Sequence, residues 1–395
     1  MSTRSELAAE AGRLDADDPL AAYRDRYDLP AGMTYLDGNS LGAPARGIAG
    51  AVQHAITREW GERLIRSWSE TWWTAPIRVG ERIAPLVGAA PGQVVVADST
   101  SVDVFKLLVG AARLRPERRT VVVDAATFPT DGYVATAAAE LLGLRVRPAD
   151  PDRPAELVDA DTAVVLLNHV DYRTGRLADL PALTGRIHAA GAMALWDLSH
   201  SVGVVPIALD AAGADLAVGC TYKFLSGGPG APAFSYVRRD LQDGFRSPLT
   251  GWCGHRDPFA MEPDYAPAAG IGRLRAGTPD VLSLVALESA LTVWESVTIE
   301  EVRRKSGSLT DYFLRCVDAL LPRDAVSVIT PRHSARRGGQ ISLRCSNAEE
   351  IMSRLIGAGV IGDFRPPDLL RFGFAPLYTG HADALAAVDG LASVL

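Results

Sequence analysis

Short apolar runs that alternate with helical stretches between about residues 75 and 240 place the strongest constraint on the fold of this chain. The runs are Gln93–Ala97, Thr120–Asp124, Ala163–Leu167, Ala192–Trp196 and Leu216–Cys220. Helical spacing is carried by Val102, Phe105, Leu108, Val109 and Ala112, and again by Leu183, Ile187 and Ala190. Strands that alternate with helices predict an α/β domain whose mainly parallel sheet has helices on both sides.

The pattern changes after about residue 281. A long helix-like stretch, Val281–Val297 continuing to about Leu321, comes first. Strand-like segments at Val326–Thr330 and Gln340–Leu343 and a helix near Ala348–Ile356 follow. The 395 residues are too many for one compact core. We therefore predict an N-terminal segment over residues 1–60, a large domain over 61–280 and a smaller α+β domain over 281–395, which the N-terminal segment completes.

Charge and cysteine content exclude several classes of function. The formal net charge of −7 would repel nucleic acid and anionic membrane surfaces. The four cysteines are widely spaced, which argues against a zinc site or a disulfide framework and favours a reducing compartment. The stretch Met1 to Gly12 has no apolar signal core, and runs such as Ala163–Leu167 are too short to cross a bilayer. We expect a cytoplasmic protein that binds neither nucleic acid nor membrane and holds no metal.

Two polar residues follow neighbouring apolar runs, where ligands of parallel sheets bind. Asp197 ends one run, and Lys223 follows a later one. A carboxylate in this place can keep a pyridine nitrogen protonated, and a lysine shielded from solvent can form an imine. Taken singly, such a lysine is more often a surface residue, and the nearby His200 more often a core histidine. Together, Asp197 and Lys223 have the layout of fold-type-I pyridoxal-phosphate (PLP) enzymes.

A hydroxyl-rich turn precedes the first helix of the alternating region. Ser99, Thr100 and Ser101 follow a strand and open a helix whose first turn contains Asp103. Hydroxyls and free N–H groups at a helix start can bind an anion such as a phosphate. The alternative interpretation is ordinary N-capping by Ser101.

Ten short segments, in order along most of the chain, resemble the kynureninase family of class-V aminotransferase-like PLP enzymes, in its bacterial form. The segments are Leu36 to Gly42, Leu64 to Trp68, Asp98 to Ser101, Phe128 to Asp131, Tyr172 to Gly175, Trp196 to His200, Thr221 to Lys223, Gly228 to Pro232, Gly277 to Pro279, and Gly362 to Phe374. The resemblance implies a fold-type-I PLP-dependent transferase-like fold, with a mainly parallel large domain and a smaller α+β domain.

The resemblance also implies roles for individual residues. Lys223 would form the Schiff base with PLP, Asp197 would pair with the pyridine nitrogen, and Tyr222 would be an acid–base partner. Arg371 would clamp the substrate α-carboxylate, although a structural salt bridge is the alternative for this residue. The expected contacts of the cofactor or its phosphate are Thr100, Ser101, Phe128, Pro129, Thr130, Asp131, Asn168, His200, Trp252 and Thr278. The expected contacts of the substrate are Trp68, Asn39, Ser40 and Gly277.

The reaction implied is hydrolytic Cβ–Cγ cleavage of L-kynurenine to anthranilate and L-alanine. This step belongs to tryptophan catabolism, in the kynurenine pathway that leads to NAD biosynthesis. Trp68 and the Gly277-Thr278 pair resemble the bacterial pattern, which implies kynurenine rather than its 3-hydroxy derivative. The resemblance further implies a homodimer in which the N-terminal segment contacts the partner and Trp252 and Thr278 reach the partner's site.

Other functions fit the same residues. The first alternative function is that of another class-V PLP enzyme, either an aminotransferase or a cysteine desulfurase. A desulfurase needs a reactive cysteine on a mobile loop, whereas Cys345 lies in a strand-like segment. A PLP-binding protein without turnover is a second, against which the intact lysine, aspartate and arginine positions argue. A kynureninase-like enzyme for a ring-substituted kynurenine in a biosynthetic pathway is a third.

Overall fold

The computed structural model describes residues 3–150, 153 and 158–395. Its helices are α1 (Thr3–Ala16), α2 (Ile48–His54), α3 (Ala75–Ile83), α4 (Thr100–Arg113), α5 (Pro129–Leu142), α6 (Leu180–Ala189), α7 (Leu209–Ala212), α8 (Arg239–Gln242), α9 (Val281–Leu291), α10 (Ile299–Leu320), α11 (Ala348–Gly357) and α12 (His381–Val394). Its strands are β1 (Thr34–Tyr35), β2 (Val94–Val96), β3 (Thr120–Asp124), β4 (Arg145–Ala149), β5 (Thr162–Asn168), β6 (Met193–Asp197), β7 (Leu216–Gly219), β8 (Phe234–Val237), β9 (Ser327–Val328), β10 (Gln340–Arg344), β11 (Val360–Ile361), β12 (Asp363–Arg365) and β13 (Leu369–Gly373).

The central sheet has seven strands in the order β2-β8-β7-β6-β5-β3-β4. Strands β3 to β7 pair in parallel, and β8 runs antiparallel to both of its neighbours. The predicted mainly parallel sheet is therefore confirmed, and each of the five predicted runs forms one of its strands. Strands β4 and β8 were not predicted.

Side chains alternate across this sheet and build a core on each face. In β5, Val164 and Leu166 join a cluster that includes Leu107 of α4. Val165 and Leu167 join the cluster on the opposite face, which includes Ile187 of α6. A strand that is buried on both faces is a near-continuous apolar run, and this explains why β5 is so clear in the sequence.

Two smaller sheets form from the other parts of the chain. A four-stranded antiparallel sheet has the order β12-β13-β10-β9. Strand β1 pairs in parallel with β11, through Thr34 with Val360, and helix α1 packs against α12. The apolar cluster in this region accordingly contains residues from both ends of the chain, including Leu7 and Leu391. The division of the chain at residues 60 and 280 stays a prediction.

The single long helix predicted from Val281 to about Leu321 is wrong. The chain forms α9, then a 3₁₀ segment at Thr292–Ser296, then α10, and the two halves meet at 88°. A capping box starts α10, because the Thr298 hydroxyl accepts from the N–H of Glu301 while the Glu301 carboxylate accepts from the N–H of Thr298. Among the described residues no single helix meets the length and apolarity needed to cross a membrane, and only this bent pair does so jointly.

Candidate active site

A cavity of about 290 Å³ opens at the carboxyl ends of β5 and β6. Thirteen residues predicted from the sequence line it: Asn39, Ser40, Thr100, Ser101, Phe128, Thr130, Asp131, Asn168, Asp197, His200, Tyr222, Lys223 and Arg371. Parallel pairing sets Asn168 beside Asp197, so the last residues of two adjacent strands face the same space. The fold thus brings together residues that lie up to 332 positions apart in the sequence.

Two carboxyl groups and an amide form a hydrogen-bonded group on one wall. The Asn168 side-chain amide donates to Asp197 Oδ2 at 3.1 Å and to Asp131 Oδ2 at 3.3 Å. Asp197 Oδ1 also accepts from the N–H of Ser199 at 2.7 Å. Burial, and then the neighbouring Asp197, raise the pKa of Asp131 well above its usual value. The Asp131 carboxyl therefore holds its proton more tightly than an ordinary aspartate does.

Lys223 projects into the cavity beside His200. The distance from Lys223 Nζ to His200 Nε2 is 2.8 Å. Burial, and then the positive charge of Lys223, hold the pKa of His200 well below its usual value. The imidazole is therefore neutral and accepts a hydrogen bond from the lysine. Proximity to Cys220, and then burial, raise the pKa of Tyr222, so its phenol keeps its proton at neutral pH.

The hydroxyl-rich turn lies at the amino end of α4. Ser99 is the N-cap, since its hydroxyl accepts from the N–H of Val102 at 3.4 Å. The alternative of capping by Ser101 is therefore wrong, and the Thr100 and Ser101 side chains face the cavity instead. The positive φ of 58° at Asp98 turns the chain immediately before this helix start. A positive helix end with two hydroxyls suits a phosphate.

An aromatic wall faces the carboxyl groups. The Phe128 ring is 40% exposed and meets the Tyr172 ring edge-on, with centroids 5.2 Å apart. Phe128 precedes α5, and its exposed ring face offers a stacking surface for a flat ligand. Pro129 begins α5 and is not among the residues that line the cavity.

Arg371 lies at the far end of the cavity and is almost fully buried. Its Nε donates to Asp363 Oδ1 at 2.8 Å, and its Nη2 donates to Asp363 Oδ2. Its Nη1 donates to the Tyr172 carbonyl at 2.7 Å, and Nη2 also donates to the Ser40 hydroxyl at 2.9 Å. The salt bridge considered as an alternative therefore exists, and Arg371 nevertheless faces the cavity.

Besides Pro129, four predicted site residues lie outside this cavity. Gly277 and Thr278 line a neighbouring cavity of about 260 Å³. Asp98 and Ser99, at the hydroxyl-rich turn before α4, line the same neighbouring cavity. Trp68 and Trp252 line an apolar cavity of about 690 Å³ that Thr278 also reaches. The turn at residues 98–101 thus separates the main cavity from the region where these residues lie.

Three residues on the cavity wall were not predicted to have a role: Tyr172, Ser199 and Arg365. All three lie in segments that carry the family resemblance, so the signal for them was present. Ser199 follows Asp197, where its backbone N–H fixes the carboxylate. Only strand register, which the sequence did not give, reveals that these side chains meet the others.

The side chains that line the 290 Å³ cavity fit the chemical groups of PLP. The cavity combines an amine, a carboxylate, a helix start with two hydroxyls and an exposed aromatic face, which are the contacts that this cofactor requires. One solved structure, a lysine-to-alanine variant of C-DES with glycine covalently linked to its PLP cofactor, matches with a TM-score of 0.82. It is 17% identical and covers 94% of this chain and 99% of its own. The fold is that of the fold-type-I class of PLP enzymes.

Sequence comparison narrows the class to one family. The kynureninase of Deinococcus radiodurans is 49% identical over 98% of this chain and 96% of its own length. The kynureninase of Burkholderia pseudomallei strain 1106a is 46% identical over 100% of this chain and 96% of its own length. Residues 302–391 match the kynureninase C-terminal domain model. The chain belongs to the kynureninase family, as the resemblance in the sequence predicted.

Proposed function

We propose that this protein is a PLP-dependent hydrolase that cleaves the Cβ–Cγ bond of L-kynurenine to give anthranilate and L-alanine. Membership of the kynureninase family over nearly the full chain supports this activity. The observation that carries it is the assembly of Lys223, Asp197 and Arg371 around one cavity. This arrangement offers a place for an amine, a ring nitrogen and an α-carboxylate at once.

The described residues suggest how PLP is held. Asp197 would pair with the ring nitrogen, and the Asn168 amide would keep that carboxylate in place by donating to it. Phe128 would cover one ring face, and Thr100 and Ser101 would donate to the phosphate at the start of α4. Lys223 would carry the covalent link. When bound, PLP supplies an electron sink that stabilises a carbanion at the substrate Cα and then allows the Cβ–Cγ bond to break.

Proton transfer is assigned to two side chains. Lys223, once released from its link, would take the proton from the substrate Cα, and the neutral His200 would hold its amine inside the cavity. Tyr222 keeps its proton at neutral pH and can donate it in the later steps, when the three-carbon fragment leaves. Water would attack the γ-carbonyl. Arg371, with Asn39 and Ser40 beside it, would orient the α-carboxylate.

We also propose that the active form is a homodimer. Five large apolar side chains are between 57 and 77% exposed in the single chain: Trp60, Leu64, Ile65, Phe259 and Met261. Two of them, Ile65 and Phe259, line the 690 Å³ cavity. Exposed apolar patches of this kind favour a protein interface. Burial of this surface against a second copy would place Trp252 and Thr278 near the partner's cofactor phosphate, and Trp68 and Gly277 near the substrate ring.

We also propose a cellular setting for the protein and a division of its chain into three units. All four cysteines lie in the described part of the chain, and each is buried and free, which supports a reducing, cytoplasmic setting. Membership of the kynureninase family supports a place in tryptophan catabolism through the kynurenine pathway. We propose three units with boundaries near residues 60 and 280. The pairing of β1 with β11 supports an N-terminal segment that packs with the small domain.

The desulfurase alternative finds no support at Cys345. This thiol is buried at the end of β10, and burial raises its pKa above the usual value. A nucleophilic thiol needs the opposite conditions, exposure and a lowered pKa. A ring-substituted kynurenine is not favoured either, because the full-length relatives are kynureninases.

The decisive test combines cofactor attachment with product analysis. Purified protein is loaded with PLP, given L-kynurenine and assayed for anthranilate by fluorescence and for alanine by chromatography. We expect equal amounts of both products, and a borohydride-fixed cofactor on the peptide that contains Lys223. Lys223→Ala should bind PLP without this link and lose activity. Turnover near the wild-type rate in Lys223→Ala would contradict the proposed mechanism. Cofactor attachment without any anthranilate would leave the class intact and contradict the substrate.

A further inference from the structure

Two arginines, not one, meet at the carboxylate end of the cavity, and they share one aspartate. Asp363 Oδ2 accepts from Nη2 of Arg371 and forms an ion pair with Nη2 of Arg365 at 2.7 Å. The Ser40 hydroxyl donates to the same oxygen at 3.1 Å. Both guanidinium groups line the cavity. Because they share an oxygen, the two groups are immediate neighbours.

Arg371 alone has too few free donors to clamp a carboxylate with two hydrogen bonds. A guanidinium has five N–H groups. Those of Arg371 already bond to both Asp363 oxygens, to the Tyr172 carbonyl and to the Ser40 hydroxyl, which leaves one N–H on Nη1 among the described contacts. A bidentate pair with a ligand would require Arg371 to give up part of its bond to Asp363.

Arg365 carries the donor that Arg371 lacks. Its Nε is buried and has no hydrogen-bond partner among the described residues. A buried N–H without a partner is costly, so a ligand that accepts from it gains binding energy.

We propose that Arg365 is a second substrate-binding cation, and that the α-carboxylate lies between Arg365 and the free N–H of Arg371. The shared Asp363 then fixes the spacing of the two arginines rather than competing with the ligand. This inference deepens the proposed function and rests on it for the identity of the substrate. It predicts that the site recognises an α-amino acid through two charge-assisted donors on adjacent strands, β12 and β13.

The test compares two ligands that differ only at the carboxylate. L-Alanine and L-alaninamide are titrated into the PLP-loaded enzyme, and binding is followed by the change in cofactor absorbance. In Arg365→Gln we expect the Kd of L-alanine to rise about 10- to 100-fold, while that of L-alaninamide changes less than about twofold. Arg365→Lys keeps the charge but loses the Nε donor, so it should show a smaller loss, again for L-alanine only. Arg344→Gln is the matched control, because Arg344 pairs with Asp368 at 2.9 Å outside the cavity and should change neither ligand.

The outcomes separate the two proposals. Equal losses for both ligands in Arg365→Gln, or no loss for either, would overturn the role of Arg365. If Arg365→Gln does not fold, Arg365→Lys decides, and equal Kd values for L-alanine in this variant and the wild type would overturn the proposal. An enzyme that binds L-alanine through Arg365 but does not cleave kynurenine would contradict the proposed substrate and leave this carboxylate site standing.

Discussion

Gly42 provides a way to perturb the active-site lysine without touching the cavity. Its N–H donates to the Tyr222 carbonyl at 2.8 Å, so the N-terminal segment is held directly against the strand end that carries Lys223. A Cβ added at Gly42 would lie 2.2 Å from the Lys223 carbonyl oxygen and 2.8 Å from Ser226 Cα. Both are backbone atoms, which cannot move aside as the end of a flexible side chain can.

The size of the effect follows from these distances. Non-bonded heavy atoms prefer a separation of about 3.5 Å, so the backbone near Lys223 must shift by roughly 1 Å. Overpacking of this kind costs about 1–3 kcal/mol of folding free energy. A displacement of about 1 Å at a reacting group can lower a rate about 100-fold. We therefore expect Gly42→Ala to lower kcat about 100-fold and the free energy of unfolding by about 1–3 kcal/mol.

The assay measures kcat for anthranilate release, PLP content and urea unfolding on the same preparations. Gly50→Ala in α2 is the control, because the added Cβ would have no described atom within 4 Å. We expect a roughly 100-fold lower kcat in Gly42→Ala with PLP still bound, and a wild-type kcat in Gly50→Ala. A wild-type kcat in Gly42→Ala would refute the inferred contact between the N-terminal segment and the lysine.

Three further predictions concern buried charge. Lys106→Met leaves the fully buried Asp103, 2.7 Å from the lysine amine, without its cation, and should lower the free energy of unfolding in urea by about 3–5 kcal/mol. Asp131→Asn keeps a side-chain oxygen that accepts from Asn168 and should hold kcat within about twofold of the wild type, whereas Asp131→Ala should lower it about tenfold. Burial raises the pKa of Asp37 to about 6, above its unfolded value, so the folded chain holds this proton more tightly. The contribution of Asp37 to stability should therefore fall as pH rises from about 4 to about 6, and urea titrations of Asp37→Asn should lack this fall.

The sheet could be predicted because its central strands are continuous apolar runs with polar ends. Strand β8 could not, because it is short, follows a glycine-rich turn and enters the sheet antiparallel between β7 and β2 without a helix before it. The break before α10 was missed although its signal was present, since Thr298 and Glu301 have the spacing of a capping box. The capping box at Thr298 and Glu301 starts a new helix, although the apolar spacing on either side of it is typical of one continuous helix.

The site was predictable where chemistry follows a strand end, as at Asp197 and Lys223. Asn168 matched the family only loosely, and its bond to both carboxyl groups depends on the register of β5 with β6. The pairing of Arg371 with Asp363 depends likewise on the register of β12 with β13, where the two residues are direct partners. Contacts of this kind are tertiary, and no spacing along the sequence encodes them.

The pairing of β1 with β11 has a consequence for how the protein is made. Asn39 and Ser40, a few residues after β1, meet Arg371 only when the strand from the other part of the chain is present. Arg371 follows Lys223 by 148 positions. A ribosome that adds about 5–20 residues per second needs roughly 7–30 s to cover that distance. During this interval the nascent chain has the residues proposed to hold PLP but lacks Arg371, so we expect binding of the substrate carboxylate to begin only after the last part of the chain is made.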